Sequence, residues 1–269
     1  MLGSTKIYGC LADPIDHVKA PTIFTAIFKE KNIDAVMVPI HVKKENLKNV
    51  IKSLKKIRNF EGMTVTIPHK KTMANICDHL EQDAVFTQSV NWIKFDKDRK
   101  LIGNNFDGQG FVAGFLSQKF LIKNKKVCIF GAGGAAVSIA CSLAKQKIKS
   151  LQIINRNFDK AYELINKIKI IDKDLLVEVT KYKDNYLLND YDIIINATSL
   201  GLHKDDKLPF DVSETSSNAV IADIIMQPLE TKLLKKAKKL GRPVHFGKYM
   251  IESQIDFCLL YTSPSPRDA

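Results

Sequence analysis

The fold is indicated most directly by residues 126–136, which read KVCIFGAGGAA. The mostly apolar residues 126–130 predict a buried β-strand, and a helix is expected to begin near Gly133. A strand, a glycine-rich turn and a helix in this order are typical of a site that binds the pyrophosphate of a dinucleotide at a helix N-terminus. An ordinary glycine turn is the alternative interpretation. The residues predicted to form the turn and contact the cofactor are Gly131, Ala132, Gly133, Gly134 and Ala135.

Strand-like and helix-like segments alternate along the chain on both sides of this turn. The strands predicted after residue 125 lie at 126–130, 150–155, 175–180, 191–196, 219–223 and 243–246. Such alternation predicts a parallel sheet with crossover helices on both faces. The strands predicted before it lie at 5–11, 34–42 and 62–67, with a hairpin over 90–96 and 100–105. Helices are predicted from Pro21 onward, over 44–57 and, as a single helix, over 71–88. The fold class is therefore α/β.

The composition excludes several classes of protein. Of the 269 residues, 45% are hydrophobic and 26% are charged, which is typical of a folded globular protein. The sequence contains neither an apolar run long enough to span a membrane nor a segment resembling a secretion signal. Five widely spaced cysteines without a CxxC pair indicate reduced thiols. We therefore expect a cytoplasmic protein with no membrane partner.

The net charge of +12 raises the question of nucleic-acid binding. The excess comes mainly from scattered lysine pairs such as Lys55-Lys56 and Lys235-Lys236, without an arginine-rich stripe or a basic tail. Solvated helix faces explain this pattern better, so no nucleic-acid partner is predicted. A positive field also favours an anionic cofactor or substrate.

The end of the strand that follows the glycine turn indicates which dinucleotide binds. An NAD enzyme usually has an acidic residue there to hold the ribose hydroxyls. This chain has Asn155, Arg156 and Asn157, with Lys160 one turn later. A guanidinium can bind a 2′-phosphate through two hydrogen bonds, so the cofactor is predicted to be NADP. A solvated loop arginine is the alternative.

Several further segments match one family in order and spacing. They are DPIDHVKAP (13–21), TVTIPHK (64–70), SVNW (89–92), GNNFDG (103–108), NATSLG (196–201), DIIMQPLET (223–231) and GKYMIESQ (247–254). Together with the glycine turn and Asn155-Arg156, these segments resemble the shikimate dehydrogenase family over residues 5–260. The resemblance implies two α/β domains: an N-terminal substrate-binding domain and a Rossmann-type NADP-binding domain.

The resemblance also implies an activity, the reversible NADP-dependent reduction of 3-dehydroshikimate to shikimate. It assigns proton transfer to Lys70 and Asp107, and hydrogen bonds to the substrate hydroxyls to Asn91 and Gln254. A lysine can move a proton if it is held against the reacting oxygen. By the same resemblance, further cofactor-binding residues are Asn196, Ala197, Thr198, Ser199 and Gly247.

Five positions depart from the family pattern. Val18 and Ala20 replace serines that the family uses on the substrate carboxylate, and Thr64, Phe106 and Met226 replace an asparagine, a threonine and a tyrosine. Most of these changes make the substrate pocket less polar. Either another group binds the carboxylate, with Lys19, Thr22 and Thr64 as candidates, or the substrate is quinate or another, less polar cyclic hydroxy acid. A third hypothesis is a non-catalytic NADP(H)-binding sensor.

The expected domains are residues 1–105 together with the helix 247–261 for the substrate, and residues 106–240 for NADP. Residues 262–269 (TSPSPRDA) are expected to form a disordered tail, and a non-native origin for them stays open. His17 and His69 have no third ligand at metal spacing, so no metal site is expected. The partner is expected to be a small cyclic hydroxy acid, and the protein a monomer or homodimer.

Overall fold

The computed structural model describes residues 2–16, 18–182 and 186–262. The chain divides into two compact units. Unit 1 contains Met1–Phe106 and Ile255–Ala269, and unit 2 contains Asp107–Gln254. His17 and the tail from Ser263 onward lie outside the described residues.

Unit 1 is built on a mixed six-stranded sheet. Its strands are β1 (Lys6–Ala12), β2 (Ala35–His41), β3 (Phe60–Val65), β4 (His79–Leu80), β5 (Trp92–Phe95) and β6 (Leu101–Asn104). Its helices are α1 (Ala20–Glu30), α2 (Leu47–Leu54), α3 (Lys70–Ala74) and α4 (Gln82–Thr87). The strand order is β2-β1-β3-β5-β6-β4. Strands β5 and β6 pair antiparallel, which confirms the predicted hairpin.

Two apolar clusters form the core of unit 1. One contains residues of α2 and α3, including Leu47, Ile51 and Met73. The other, called here the aromatic cluster, is made by Tyr8, Phe24, Phe28 and Trp92 with their apolar neighbours. Trp92 is 1% exposed and stacks with Phe24 at 5.4 Å between ring centroids.

The prediction of one helix over residues 71–88 is wrong. The chain forms α3, the short strand β4 and then α4. Strand β4 pairs in parallel with β6, and the Asp78 carboxylate accepts hydrogen bonds from Lys55 and from the Leu101 amide. These contacts join residues that are far apart in the sequence. They stabilise β4 more than the local helical spacing would stabilise a continuous helix.

Unit 2 is built on a six-stranded sheet that is parallel throughout, as predicted. Its strands are β7 (Lys126–Phe130), β8 (Ser150–Asn155), β9 (Leu176–Lys181), β10 (Ile193–Asn196), β11 (Val220–Asp223) and β12 (Val244–Phe246). Its helices are α5 (Asp107–Ser117), α6 (Gly134–Ala144), α7 (Phe158–Ile171), α8 (Lys232–Lys239) and α9 (Gly247–Thr262). The last of them, α9, continues into unit 1. The strand order β12-β11-β10-β7-β8-β9 reverses direction between β10 and β7. Ligands of such sheets bind outside the carboxyl ends of the strands at this reversal.

The boundary between the two units passes through α9, between Gln254 and Ile255. In unit 2 the helix approaches α5 closely, because α5 has glycines where it meets α9. A Cβ atom at Gly110 would lie 2.5 Å from the Met250 carbonyl oxygen, and one at Gly114 would lie 2.6 Å from that of Tyr249. The first two turns of α9 therefore belong to unit 2, although all of 247–261 was expected in the substrate domain. Among the described residues, no helix has both the length and the apolar character that crossing a membrane requires.

Candidate active site

The glycine turn lies at the carboxyl end of β7, beside the strand-order reversal. Gly131 has a φ of +114°, a conformation that favours glycine. A Cβ atom there would lie 2.7 Å from the Ala197 carbonyl oxygen, so the turn packs directly on the segment after β10. Residue 131 therefore has to be a glycine for two separate reasons.

The N-terminus of α6 can accommodate a phosphate group. Gly133 is its N-cap residue and has no side chain to cap the helix. Cβ atoms built at Gly133 and Gly134 meet nothing within 4 Å, so space lies above the first turn. The amide groups and the partial positive charge of a helix N-terminus favour an anion there. The predicted pyrophosphate site therefore fits this turn, with Ala132 and Ala135 flanking the glycines.

Two cationic side chains follow β8: Arg156 directly after the strand and Lys160 in the first turn of α7. The Asn155 side chain donates a 2.7 Å hydrogen bond to the Asn157 carbonyl oxygen. The Asn157 side chain in turn accepts from the Lys160 amide and caps α7. These bonds order the loop, while Arg156 and Lys160 stay exposed to solvent. Exposed cations beside a helix N-terminus suit a 2′-phosphate.

Residues 196–201, called here the β10 loop, follow the strand on the other side of the reversal. Asn196 is fully buried. Its Oδ1 accepts hydrogen bonds from the amide and the hydroxyl of Thr198, at 3.1 and 2.7 Å. Its Nδ2 donates to the Leu200 carbonyl oxygen at 3.0 Å. The structure therefore brings the predicted cofactor residues Asn196, Ala197 and Thr198, with Ser199 in the same loop, next to the glycine turn.

Asp223 is a functional candidate that the sequence analysis did not single out. Its side chain is fully buried and accepts hydrogen bonds from Asn196, Ile225 and Thr231. Burial raises the pKa of this carboxyl to about 6, against the effect of the three hydrogen bonds. The usable signal was an acidic residue at the end of an apolar strand.

Two predicted residues are paired at the junction of α5 and α9. Asp107, the first residue of α5, is 5% exposed. Gln254 Nε2 donates to Asp107 Oδ1 at 3.3 Å. Gly110 leaves the space that the Gln254 side chain occupies. At the start of α9, a Cβ atom at Gly247 would lie 2.6 Å from the carbonyl oxygens of Ile224 and Ile225. Met226, the next residue along the chain, is half-buried.

In unit 1 the structure places Lys70 and Asn91 on adjoining segments. Lys70 begins α3, and its carbonyl oxygen accepts from the Val90 amide at 3.0 Å. Asn91 is buried, and its Oδ1 accepts from the Phe106 amide at 2.9 Å. His69, the buried N-cap residue of α3, places its Nε2 2.8 Å from the Val42 carbonyl oxygen. Lys70 belongs to unit 1, whereas Asp107 belongs to unit 2.

Four of the five residues that depart from the family pattern lie on or near the aromatic cluster of unit 1, whereas Met226 lies in unit 2. Val18 and Ala20 are half-buried and pack against it. Thr64 lies between Cys10 and Trp92 in the sheet register. Phe106 is 4% exposed and stacks on Phe257, with 6.1 Å between ring centroids. The surroundings of Val18 and Ala20 are therefore strongly apolar.

Comparison with known proteins agrees with these features. Residues 10–93 match the family model described as shikimate dehydrogenase substrate binding domain, and residues 115–225 match that of shikimate / quinate 5-dehydrogenase. The shikimate dehydrogenase (NADP(+)) of Methanosphaera stadtmanae is 36% identical over 98% of this chain and 94% of its own length.

Two solved structures are similar over almost the whole chain. A shikimate dehydrogenase in complex with NADP+ is 33% identical, with a TM-score of 0.88 over 98% of this chain and 91% of that one. The 5-ketofructose reductase of Gluconobacter sp. strain CHM43 is 29% identical, also with a TM-score of 0.88, over 96% and 92%. With its sheet order, its glycine turn and these matches, the chain belongs to the shikimate dehydrogenase family.

Proposed function

We propose that this protein is an NADP-dependent oxidoreductase that interconverts 3-dehydroshikimate and shikimate. The observation that carries the proposal is the 36% identity, over 98% of the chain, to a shikimate dehydrogenase (NADP(+)). The glycine turn at the strand-order reversal supports it independently, because that is where a dinucleotide binds to such a sheet.

The cofactor site is proposed to lie across the carboxyl edge of the unit 2 sheet. The α6 N-terminus would bind the pyrophosphate, Arg156 and Lys160 the 2′-phosphate, and the β10 loop the remainder together with Gly247. Bound NADPH supplies a hydride for the substrate carbonyl carbon. Arg156 and Lys160 carry positive charge, and the backbone amides after Gly133 carry partial positive charge, so the site selects an anionic dinucleotide.

The proton chemistry is assigned to Lys70 and Asp107. When the ketone is reduced, its oxygen gains negative charge, and the Lys70 ammonium donates the proton that makes it a hydroxyl. In the reverse direction, neutral Lys70 accepts that proton. Asp107, oriented by Gln254, would hold the same hydroxyl through a hydrogen bond. Asn91 would bind a neighbouring hydroxyl.

The domains, the location in the cell and the oligomeric state of the protein are also part of the proposal. Unit 1, which covers the expected residues 1–105 and only the second half of α9, would form the substrate domain, and unit 2, which extends past residue 240 to Gln254, the NADP domain. The five cysteines are all free thiols, which supports a cytoplasmic location. The protein is proposed to act as a monomer or homodimer.

The same chemistry on a less polar substrate is a second candidate. The observation that favours it is the packing of Val18 and Ala20 against the aromatic cluster, since neither side chain can hydrogen-bond a carboxylate. A solved relative of 29% identity is a 5-ketofructose reductase. Uncharged cyclic polyols test the loss of carboxylate binding, whereas quinate, which keeps the carboxylate, tests a change in the rest of the ring.

Turnover of purified protein tests the proposal. The absorbance of reduced nicotinamide would be followed with NADP+ and shikimate, then quinate, an uncharged cyclic polyol and buffer alone, with NAD+ as the cofactor control. We expect NADP+-dependent oxidation of shikimate. Lys70→Ala should lower kcat by roughly 10²–10⁴-fold, since it removes the proton-transfer group. Its Kd for NADP+ should stay within about twofold of the unaltered protein's value. Lys71→Ala, the adjacent lysine, is the matched control and should keep full activity.

The outcomes separate the candidates. Turnover of the polyol or quinate without turnover of shikimate would replace the first candidate by the second. NADP binding without turnover of any substrate would favour the non-catalytic sensor. Full activity of Lys70→Ala would remove Lys70 from the mechanism.

A further inference from the structure

Asp223 is the centre of a buried hydrogen-bond network in unit 2. Its Oδ1 accepts from Asn196 Nδ2 at 3.1 Å and from the Ile225 amide at 3.0 Å. Its Oδ2 accepts from the Thr231 hydroxyl at 2.7 Å. The three donors come from the end of β10, the segment after β11 and the N-cap of α8. One carboxylate therefore joins three separate parts of the chain.

The network continues from Asn196 into the β10 loop. Asn196 contacts the loop through both of its polar atoms, as described above. The Thr198 hydroxyl accepts a hydrogen bond from the Leu200 amide at 3.1 Å. At the far end of the loop, the Gly201 amide donates to Asp206 Oδ2 at 2.9 Å. The conformation of the loop therefore depends on the orientation of the Asn196 amide, and the bond to Asp223 ties that amide to the structure outside the loop.

The β10 loop forms one wall of the crevice in which the dinucleotide is proposed to bind. Strands β10 and β7 are neighbours at the strand-order reversal, and the glycine turn follows β7. The Ala197 carbonyl oxygen would be only 2.7 Å from a Cβ atom at Gly131, so loop and turn are in contact. A displacement of the loop would change the shape of the crevice directly.

A buried carboxylate is costly unless hydrogen bonds compensate for its lost hydration. The three donors around Asp223 provide that compensation. The donors would lose their acceptor if the carboxylate were replaced, and the Asn196 amide would be held only by its bonds within the β10 loop. An apolar residue of similar size would fill the same volume but could not orient Asn196.

We propose that Asp223 is a positioning residue for the cofactor, which holds the β10 loop in its binding conformation through Asn196 and without touching NADP itself. This inference rests on the proposed function for the identity of the dinucleotide. Asp223 would thus affect NADP affinity from the end of β11, on the side of the β10 loop away from the glycine turn.

The test is direct NADP+ binding to the Asp223→Asn variant of the full chain, measured by calorimetry at pH 7.5. The variant has nearly the same shape, but one acceptor becomes an NH2 group that faces a donor. We expect Kd for NADP+ to rise at least tenfold. At saturating NADP+, KM for shikimate should stay within twofold. Asp211→Asn is the matched control, because Asp211 is an exposed aspartate of unit 2 that accepts from the Ser213 amide, outside this network. It should leave Kd unchanged.

A second pair of variants covers the case in which Asp223→Asn does not fold. Thr231→Val removes the hydroxyl that donates to Asp223, whereas Thr231→Ser keeps it. Kd should rise about threefold in the valine variant and return to within 1.5-fold in the serine variant. A folded Asp223→Asn protein with unchanged Kd, or equal Kd values for the valine and serine variants, would overturn the inference. Failure of the unaltered protein to bind NADP+ would instead contradict the proposed function.

Discussion

At the scale of single residues, two glycines of the cofactor turn have different physical reasons for being glycine. Gly131 needs its positive φ and the absence of a Cβ atom because Ala197 is so close. Gly133 has an ordinary φ of −78° and open space around it. The first is required by the fold, whereas the second is explained by the ligand.

This difference predicts that two alanine variants will differ in stability, although both should bind NADP+ more weakly. Gly133→Ala should leave the free energy of unfolding within about 0.5 kcal/mol of the original, since it creates no contact in the folded protein. It should weaken NADP+ binding at least tenfold, because a methyl group would occupy the space proposed for the pyrophosphate. Gly131→Ala should lose both stability and binding. Urea unfolding and calorimetry measure the two quantities. Unchanged NADP+ affinity in Gly133→Ala would place the pyrophosphate elsewhere.

Single residues also show which parts of the cofactor site could be predicted from the sequence. The sequence identified the glycine turn and its cofactor, because strand, turn and helix are adjacent along the chain. Asp223 stands at the start of the quoted segment 223–231, but its contact with Asn196 could not be predicted in this way. Its partners Asn196 and Thr231 stand 27 and eight residues away, and only the parallel pairing of β10 with β11 brings Asn196 next to it.

At the scale of elements, the packing of α9 on α5 controls the position of Gln254. A Cβ atom at Gly110 would lie 2.3 Å from Gln254 Cγ and 2.5 Å from the Met250 carbonyl oxygen. The backbone of α9 would have to move to relieve the second contact.

Gly110→Ala is therefore expected to destabilise the protein by about 1–3 kcal/mol, despite the better helix propensity of alanine. It should also lower kcat, since Gln254 would move away from Asp107. Gly134→Ala is the matched control for stability, because its added Cβ meets nothing within 4 Å. Urea unfolding of both variants gives the comparison. Equal stability of Gly110→Ala and the unaltered protein would show that α9 adjusts without cost.

Elements held by local patterns were predicted correctly, and those held by distant partners were not. Most of the parallel strands of unit 2 are apolar runs, and α6, α7 and α8 each lie between two of them, so the pattern along the chain was sufficient to predict them. Strand β4 has only two residues, and its existence depends on pairing with β6 and on Asp78. Nothing within residues 71–88 shows that these partners are close.

At the scale of the whole molecule, two buried titratable groups oppose each other in their effect on acid stability. His245 is fully buried among the rings of Phe111, Phe115 and Tyr249, and neither ring nitrogen has a hydrogen-bond partner among the described residues. Burial lowers its pKa to about 4. The unfolded chain therefore binds the proton more readily, and stability falls as pH decreases from 6.5 to 4. The pKa of Asp223 is raised to about 6, so stability rises as pH decreases from 6 to 3.8.

Replacing His245 should remove its contribution to the pH dependence of stability and leave that of Asp223. On going from pH 7 to pH 4.5, the free energy of unfolding of His245→Phe should improve by about 2 kcal/mol relative to that of the unaltered protein. Effects that do not depend on pH cancel in this difference. Urea unfolding at the two pH values measures it, with the exposed His79→Gln variant as control. The same pH dependence in His245→Phe and the unaltered protein would show that His245 does not stay neutral in the fold.

The division of the chain into units also determines the order in which they can be completed during synthesis. Unit 2 is one continuous stretch, Asp107–Gln254, whereas unit 1 combines the beginning of the chain with residues from Ile255 onward. Phe257 and Cys258, which pack with the aromatic cluster, leave the ribosome only after the whole of unit 2. Domains of a nascent chain usually fold in order from the N-terminus. Here the unit that is started first is the one that is finished last.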